Sequence, residues 1–172
     1  DARLAKLTGG RERDVRAVEL APAYDRPGPR YTSYPPAPHF TEAVGPEAAR
    51  EVYASRGAGA PPLSLYVHLP FCEAMCTYCG CNVVIDKEHR LQDDYLATLL
   101  REIDLAADAL KGGPVDVAQF HLGGGTPTWF PPAALERLHA KVTQRFRLLP
   151  DAELALEVDP NVTTEAHVRT LA

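Results

Sequence analysis

The chain has 172 residues, 45% hydrophobic and 24% charged, which suits one folded domain with a sizeable core. A net charge of −5 with no basic block argues against nucleic acid as the main partner, because phosphate binding wants clustered Lys and Arg. No apolar run reaches membrane-spanning length and the amino end lacks a signal-peptide pattern, so the expected address is the cytoplasm and no membrane partner is expected.

Residues 1–62 are rich in proline and poor in long apolar periods. Between Tyr24 and Phe40, YDRPGPRYTSYPPAPHF carries five prolines and three tyrosines, which predicts an extended strap packed by its aromatic rings. A short helix is predicted from Pro46 to about Arg56, with Ala48, Ala49, Val52 and Tyr53 as a weak apolar stripe. The run GAGAPP at 57–62 breaks it.

From Leu63 the pattern changes. Leu63, Leu65, Val67 and Leu69 alternate along a strand that stops at Pro70. Leu96, Leu99, Ile103, Ala106 and Leu110 fall at helical spacing between Arg90 and about Leu110, closed by Gly112 and Gly113. A second strand is predicted over Val115 to Leu122, with Gly123 to Pro127 as its outgoing turn. Leu135, Leu138, Val142 and Phe146 mark a helix after Pro131 and Pro132. A third strand covers Leu154 to Val158, and Thr163 begins a third helix. Such alternation predicts an α/β fold with a parallel sheet and right-handed crossovers. Ligands then gather where the strands end, and those ends carry a cysteine cluster, a triple glycine, and Glu157 with Asp159.

All four cysteines, Cys72, Cys76, Cys79 and Cys81, lie within ten residues of one another, and such crowding asks for a metal. Cys72, Cys76 and Cys79 are spaced so that one loop can wrap three thiolates around an iron-sulfur cluster and leave a fourth iron open. A Cys3His zinc site completed by His68 or His89 is the competing metal, and a disulfide pair needs an oxidising compartment to which nothing points. Gly123 to Gly125 bring bare backbone to a strand exit, either as a tight turn or for close approach of a ligand. Glu157 can accept hydrogen bonds from a ribose diol or an amino group, whereas Asp159 better fits a helix cap. His68 and His121 read as core or rim histidines satisfied within the sheet wall, and Trp129 and Phe130 as packing for the turn. Tyr66 and Tyr78 bracket the loop and are the aromatics expected to meet a ligand.

The cysteine triad with Tyr78 before its last member resembles the signature of radical S-adenosylmethionine enzymes. RYTSYP at 30–35, YVHLPFC at 66–72, CGCN at 79–82, HLGGGTPT at 121–128 and EVDP at 157–160 resemble, more narrowly, the oxygen-independent coproporphyrinogen III oxidases, or coproporphyrinogen dehydrogenases. The resemblance runs from about Tyr24 to the end. It implies the first three strand-helix units of a partial (β/α)6 barrel over 63–172, preceded by an amino-terminal extension over 1–62. It further implies that Cys72, Cys76 and Cys79 ligate a 4Fe-4S cluster, while Cys81 marks the family without binding iron. Tyr66, the backbone at Tyr78, Gly124, Gly125, Thr126 and Glu157 would line sites for one or two molecules of S-adenosyl-L-methionine. The implied reaction is oxidative decarboxylation of two propionates of coproporphyrinogen III to vinyl groups, giving protoporphyrinogen IX in haem biosynthesis. Its implied partners are that substrate and a low-potential electron donor, with a monomer expected.

A related haem chaperone branch usually has phenylalanine where this chain has Cys81 and lacks RYTSYP, so both features favour the decarboxylating enzyme. A metal-binding or haem-binding module without turnover is the other reading. The chain stops at HVRTLA in mid-helix, which reads as an amino-terminal fragment expected to be inactive alone.

Overall fold

The computed structural model describes residues 36–57, 59–110 and 114–172, together with the isolated positions 22 and 25. Asp1–Ala43 and Val44–Ala172 form two compact units. In the first, the described residues hold one 3-10 turn, Ala37–His39, closed by His39 N donating to Pro36 O at 2.9 Å. Most of the proline-rich strap, like Gly112 and Gly113, lies outside the described residues.

The second unit begins with α1, Pro46–Ala54. Proline at the first helical position starts it, since the missing N–H has no intrahelical partner there. The stripe expected along α1 is not buried: Val52 and Tyr53 stay largely exposed, although the helix touches the one that follows the cysteine loop.

Three parallel strands form the main sheet, in the order β1 (Leu63–Leu69), β4 (Asp116–Gly124), β5 (Arg147–Leu156). Two short strands, β2 (Phe71–Cys72) and β3 (Val84–Ile85), pair with each other in parallel. The connecting helices are α2 (Gln92–Ala109) and α3 (Pro132–Arg145), and α4 (Glu165–Leu171) follows β5. The parallel α/β architecture is the predicted one.

Period-two alternation gives the sheet two unlike faces. Val67, Leu69, Phe120 and Leu122 pack with Leu96, Leu99 and Ile103 of α2 and with Leu135, Leu138 and Val142 of α3. Each such buried side chain contributes about 1.5–3 kcal/mol relative to exposure, so this face holds the unit together. Lys141 of α3 bonds Asp104 of α2 at 2.9 Å, a half-exposed pair worth at most about 1 kcal/mol. The opposite face carries Tyr66, His68, Gln119 and His121, polar and partly open.

Two strand boundaries differ from the sequence expectation. Gly123 and Gly124 are not an outgoing turn; they are the last residues of β4, paired with His68 and Leu69. β5 starts at Arg147 rather than Leu154 and stops before Glu157. Its register jumps from Val117↔Leu148 to Gln119↔Glu153, so β5 carries extra residues around Pro150 and never shows clean alternation. α4 also starts later than Thr163. Thr164 is its cap, with His167 N donating to Thr164 Oγ1 at 3.4 Å and Thr164 N donating to His167 Nδ1 at 3.1 Å.

Candidate cofactor site

All three sheet strands end at one rim. From β1, Pro70 stops the ladder and the chain enters β2, where Val84 N donates to Pro70 O at 2.6 Å and Asp86 N to Cys72 O at 3.0 Å. Both legs of the cysteine loop are therefore pinned together at its base. Within the loop, Cys79 N donates to Cys76 O at 3.1 Å. All four thiols are free, Cys72 and Cys79 half-buried and Cys76 and Cys81 exposed. The Cys79 thiol beside it is the largest of the influences that push the Cys81 thiol above its ordinary range.

Past the loop, buried Asp86 turns the chain into α2 by accepting from Leu91 N at 3.0 Å and Glu88 N at 3.3 Å. Trp129 Nε1 donates to Asp86 O at 2.8 Å, and the indole lies between Phe71 and His89, with ring centroids 4.6 and 4.3 Å away. Trp129 and Phe130 are buried packing residues, as expected from the sequence. The two histidines considered as zinc ligands are engaged elsewhere. His89 Nε2 meets Glu73 Oε1 at 3.3 Å, and His68 bonds Tyr66 Oη through Nδ1 at 3.1 Å and approaches Asn82 O at 3.4 Å. Among the described residues no three His, Cys, Asp or Glu side chains surround one metal-ion position.

The polar sheet face meets the rim at β1 and β4. Tyr66 stacks on His121, centroids 5.6 Å apart and planes within 17°, in keeping with their paired register. His121 Nε2 lies 3.4 Å from Glu157 Oε1, and Glu157 Oε2 accepts from Gly124 N at 3.2 Å. Partial burial, then the Glu157 carboxylate, then Cys81 push the Tyr66 phenol above its ordinary value. A Cβ on Gly123 would stand 3.0 Å from the Tyr66 ring, from His121 Nε2 and from Glu157 Oε1. The missing side chain thus lets an aromatic ring, an imidazole and a carboxylate close over the strand backbone. Gly124 has φ +120°, and its Cβ would press on the His68 ring at 2.8 Å. Asp159 instead holds its own turn, accepting from Asn161 N at 2.9 Å.

Of the sequence-predicted site residues, Tyr66, Gly124 and Glu157 come together directly, and Gly125 and Thr126 stand against Cys72. The Tyr78 side chain is 90% exposed. His121, and His68 apart from its reading as a zinc ligand, had no expected role at this site but join the group; the alternation that buried Val67 and Leu69 carried the signal, because it sends Tyr66 and His68 to the other face. The donor chemistry fits an iron-sulfur cluster, with soft thiols gathered on one loop and partly exposed to solvent. Beside Gly123, Tyr66 keeps an exposed ring and Glu157 a half-exposed carboxylate, groups able to pack on an aromatic ligand and to accept from its hydroxyls.

Residues 66–172 match the model of the radical SAM superfamily. The chain is 45% identical over 146 residues to oxygen-independent coproporphyrinogen III oxidase of Pseudomonas aeruginosa, covering 83% of this chain and 31% of the relative. To the enzyme of that name from Escherichia coli it is 42% identical over 143 residues, covering 83% and 30%. The solved structure of coproporphyrinogen III oxidase from Escherichia coli, described as a radical SAM enzyme, superposes with a TM-score of 0.74 at 38% identity, over 88% of this chain and 33% of that one. The chain therefore spans about a third of the length of these relatives.

Proposed function

This chain belongs to the radical SAM superfamily, and on that premise we propose that it is the cofactor-holding part of an oxygen-independent coproporphyrinogen III oxidase. The observation that carries the reading is the convergence on one rim of the cysteine loop, the glycine-lined end of β4 and the Tyr66–His121–Glu157 group.

Cys72, Cys76 and Cys79 would hold a 4Fe-4S cluster, with Cys81 beside them as a non-ligand. Tyr66, the Tyr78 backbone, Gly124, Gly125, Thr126 and Glu157 would line the site for S-adenosyl-L-methionine, with space for a second molecule supplied partly by chain outside these residues. Bound together there, cluster and S-adenosyl-L-methionine would supply the one-electron chemistry that removes a hydrogen from the β carbon of a propionate; release of carbon dioxide to leave a vinyl group then also passes one electron to an acceptor, which the proposal includes beside the electron donor. Glu157 would accept from the ribose diol while its second oxygen keeps Gly124 in place. Tyr66 would offer its ring face, braced from behind by His121. A carbon radical reacts with almost any nearby C–H bond, so the site must be dry and closed around the substrate.

Two propionates treated in this way convert coproporphyrinogen III to protoporphyrinogen IX. Residues 63–172 would form the first half of the partial barrel, with 1–62 as an extension that carries the strap. A low-potential electron donor, a monomeric state and a cytoplasmic setting complete the proposal. Among the described residues no helix is long and apolar enough to cross a membrane.

The test is anaerobic reconstitution of the complete protein followed by assay for coupled loss of coproporphyrinogen III and appearance of 5'-deoxyadenosine. Cofactor binding with no 5'-deoxyadenosine under reduction would turn the reading to a chaperone-like or haem-binding module. The 172-residue chain alone is expected to give no turnover.

A further inference from the structure

The segment that leaves β4 meets the first cysteine through a set of close contacts. Gly125 N donates to Leu69 O at 2.9 Å and Thr126 N to Phe71 O at 2.8 Å, so 125–126 runs beside 69–72 as a further length of ladder. A Cβ on Gly125 would come within 2.6 Å of Phe71 O and 2.9 Å of Cys72 Sγ, so this approach requires glycine. Thr126 is buried, with Oγ1 3.4 Å from Cys72 Sγ.

Thr126 also stands at the head of the 3-10 turn Pro127–Trp129, where a threonine hydroxyl commonly caps a free N–H. Here it makes no cap bond; the turn closes through Trp129 N donating to the Thr126 carbonyl at 2.8 Å. The hydroxyl is left for the sulfur. Among the described residues no hydroxyl side chain hydrogen-bonds Cys76 or Cys79, so the contact is particular to Cys72.

Either atom can donate while Cys72 is a thiol. A thiolate has no proton to give, so with Cys72 deprotonated the hydroxyl is the donor. Hydrogen bonds to ligating sulfur disperse the extra charge of a reduced cluster and raise its potential. We propose that Thr126 is a positioning residue for Cys72, donating from Oγ1 to the ligating sulfur, fixing that ligand's orientation and raising the cluster potential. This rests on the cluster reading given above and adds a role for one side chain within it.

The test uses the complete protein, reconstituted anaerobically, as wild type and as Thr126→Val, Thr126→Ala and Thr126→Ser. Iron content, a redox titration followed by electron paramagnetic resonance, and thermal melting are measured on each. The expected result is a midpoint potential shifted to more negative values in the Val and Ala variants and unshifted in the Ser variant, which keeps the hydroxyl. Loss of the cluster from Val and Ala but not Ser equally supports the hydroxyl's role. A wild-type potential in Val or Ala overturns the inference, and so does a Ser variant that shifts or loses its cluster like the other two. A wild-type protein that assembles no 4Fe-4S cluster overturns the proposed function itself, and this inference with it; a cluster whose potential ignores the hydroxyl overturns the inference alone.

Discussion

The loop 73–83 leaves its strand with Met75, Cys76 and Tyr78 facing solvent, while the segment 125–130, leaving the neighbouring strand at the same rim, buries Thr126, Trp129 and Phe130. The buried segment is held by packing: Trp129 stacks on Phe71, Phe130 accepts at its carbonyl from the His167 ring at 2.9 Å, and Thr128 meets Thr163 at 2.8 Å. The cysteine loop is tied at its base and has little around it between Cys76 and Cys81. One side of the rim is therefore a wall set by the fold, and the other an exposed loop of thiols that, on the proposed reading, a bound group would order. Stability and ligand binding should then respond to different residues.

The largest expected effect lies on the exposed side. Cys72→Ser, Cys76→Ser or Cys79→Ser is expected to abolish iron uptake and turnover, while Cys81→Ser keeps the iron, as measured by iron content per chain. Equal loss with Cys81→Ser would break the three-plus-one assignment. On the buried side, Trp129→Ala should cost about 3–5 kcal/mol in urea unfolding, the usual range for a large aromatic removed from a core. Tyr78→Ala, at a 90% exposed position, should stay within about 0.5 kcal/mol. Comparable losses from the two would remove the contrast between the regions.

Gly124→Ala tests their boundary. It forces a side chain onto a backbone at φ +120° and against the His68 ring, and should destabilise by about 1–3 kcal/mol, read by thermal melting. A neutral result would mean that the rim yields as readily as the loop.

The smallest effect is remote from the site. Asp116, bonded by Arg147, is held below the ordinary carboxylate range. A carboxyl depressed by folding stabilises fully above its unfolded pKa of about 3.9, and that contribution fades as pH falls through the lower folded value. Asp116→Asn should therefore narrow the stability difference between neutral and acid pH slightly, in unfolding curves taken from pH 7 down to about pH 2. An unchanged difference would leave the pair without measurable weight.

Much of this arrangement was legible in the sequence. The period-two run Leu63 to Leu69 and the helical spacing from Leu96 to Ile103 gave strand, helix and parallel order, because each buries one regular face. The cysteine spacing and Glu157 at a strand end pointed to the rim. Less legible was the pairing of β2 with β3, since two residues hold no periodicity and the partner lies across the loop. Gly123 and Gly124 were expected to turn because glycine marks turns, but here bare backbone inside a strand makes room for Tyr66, His68 and Glu157. β5 hid its first half behind a register jump at the sheet edge. The contact of Thr126 with Cys72 joins residues far apart in the chain and has no local pattern.

The short β2–β3 ladder fastens residues 73–83 into a closed circuit of backbone. The entropy of closing such a circuit grows only with the logarithm of its length, so that doubling it costs about 0.6 kcal/mol. Folding is thus nearly indifferent to how many residues lie between the thiols, and the interval from Cys76 to Cys79 is constrained by what the thiols must reach. An error in that interval would be felt by the ligand rather than by the fold.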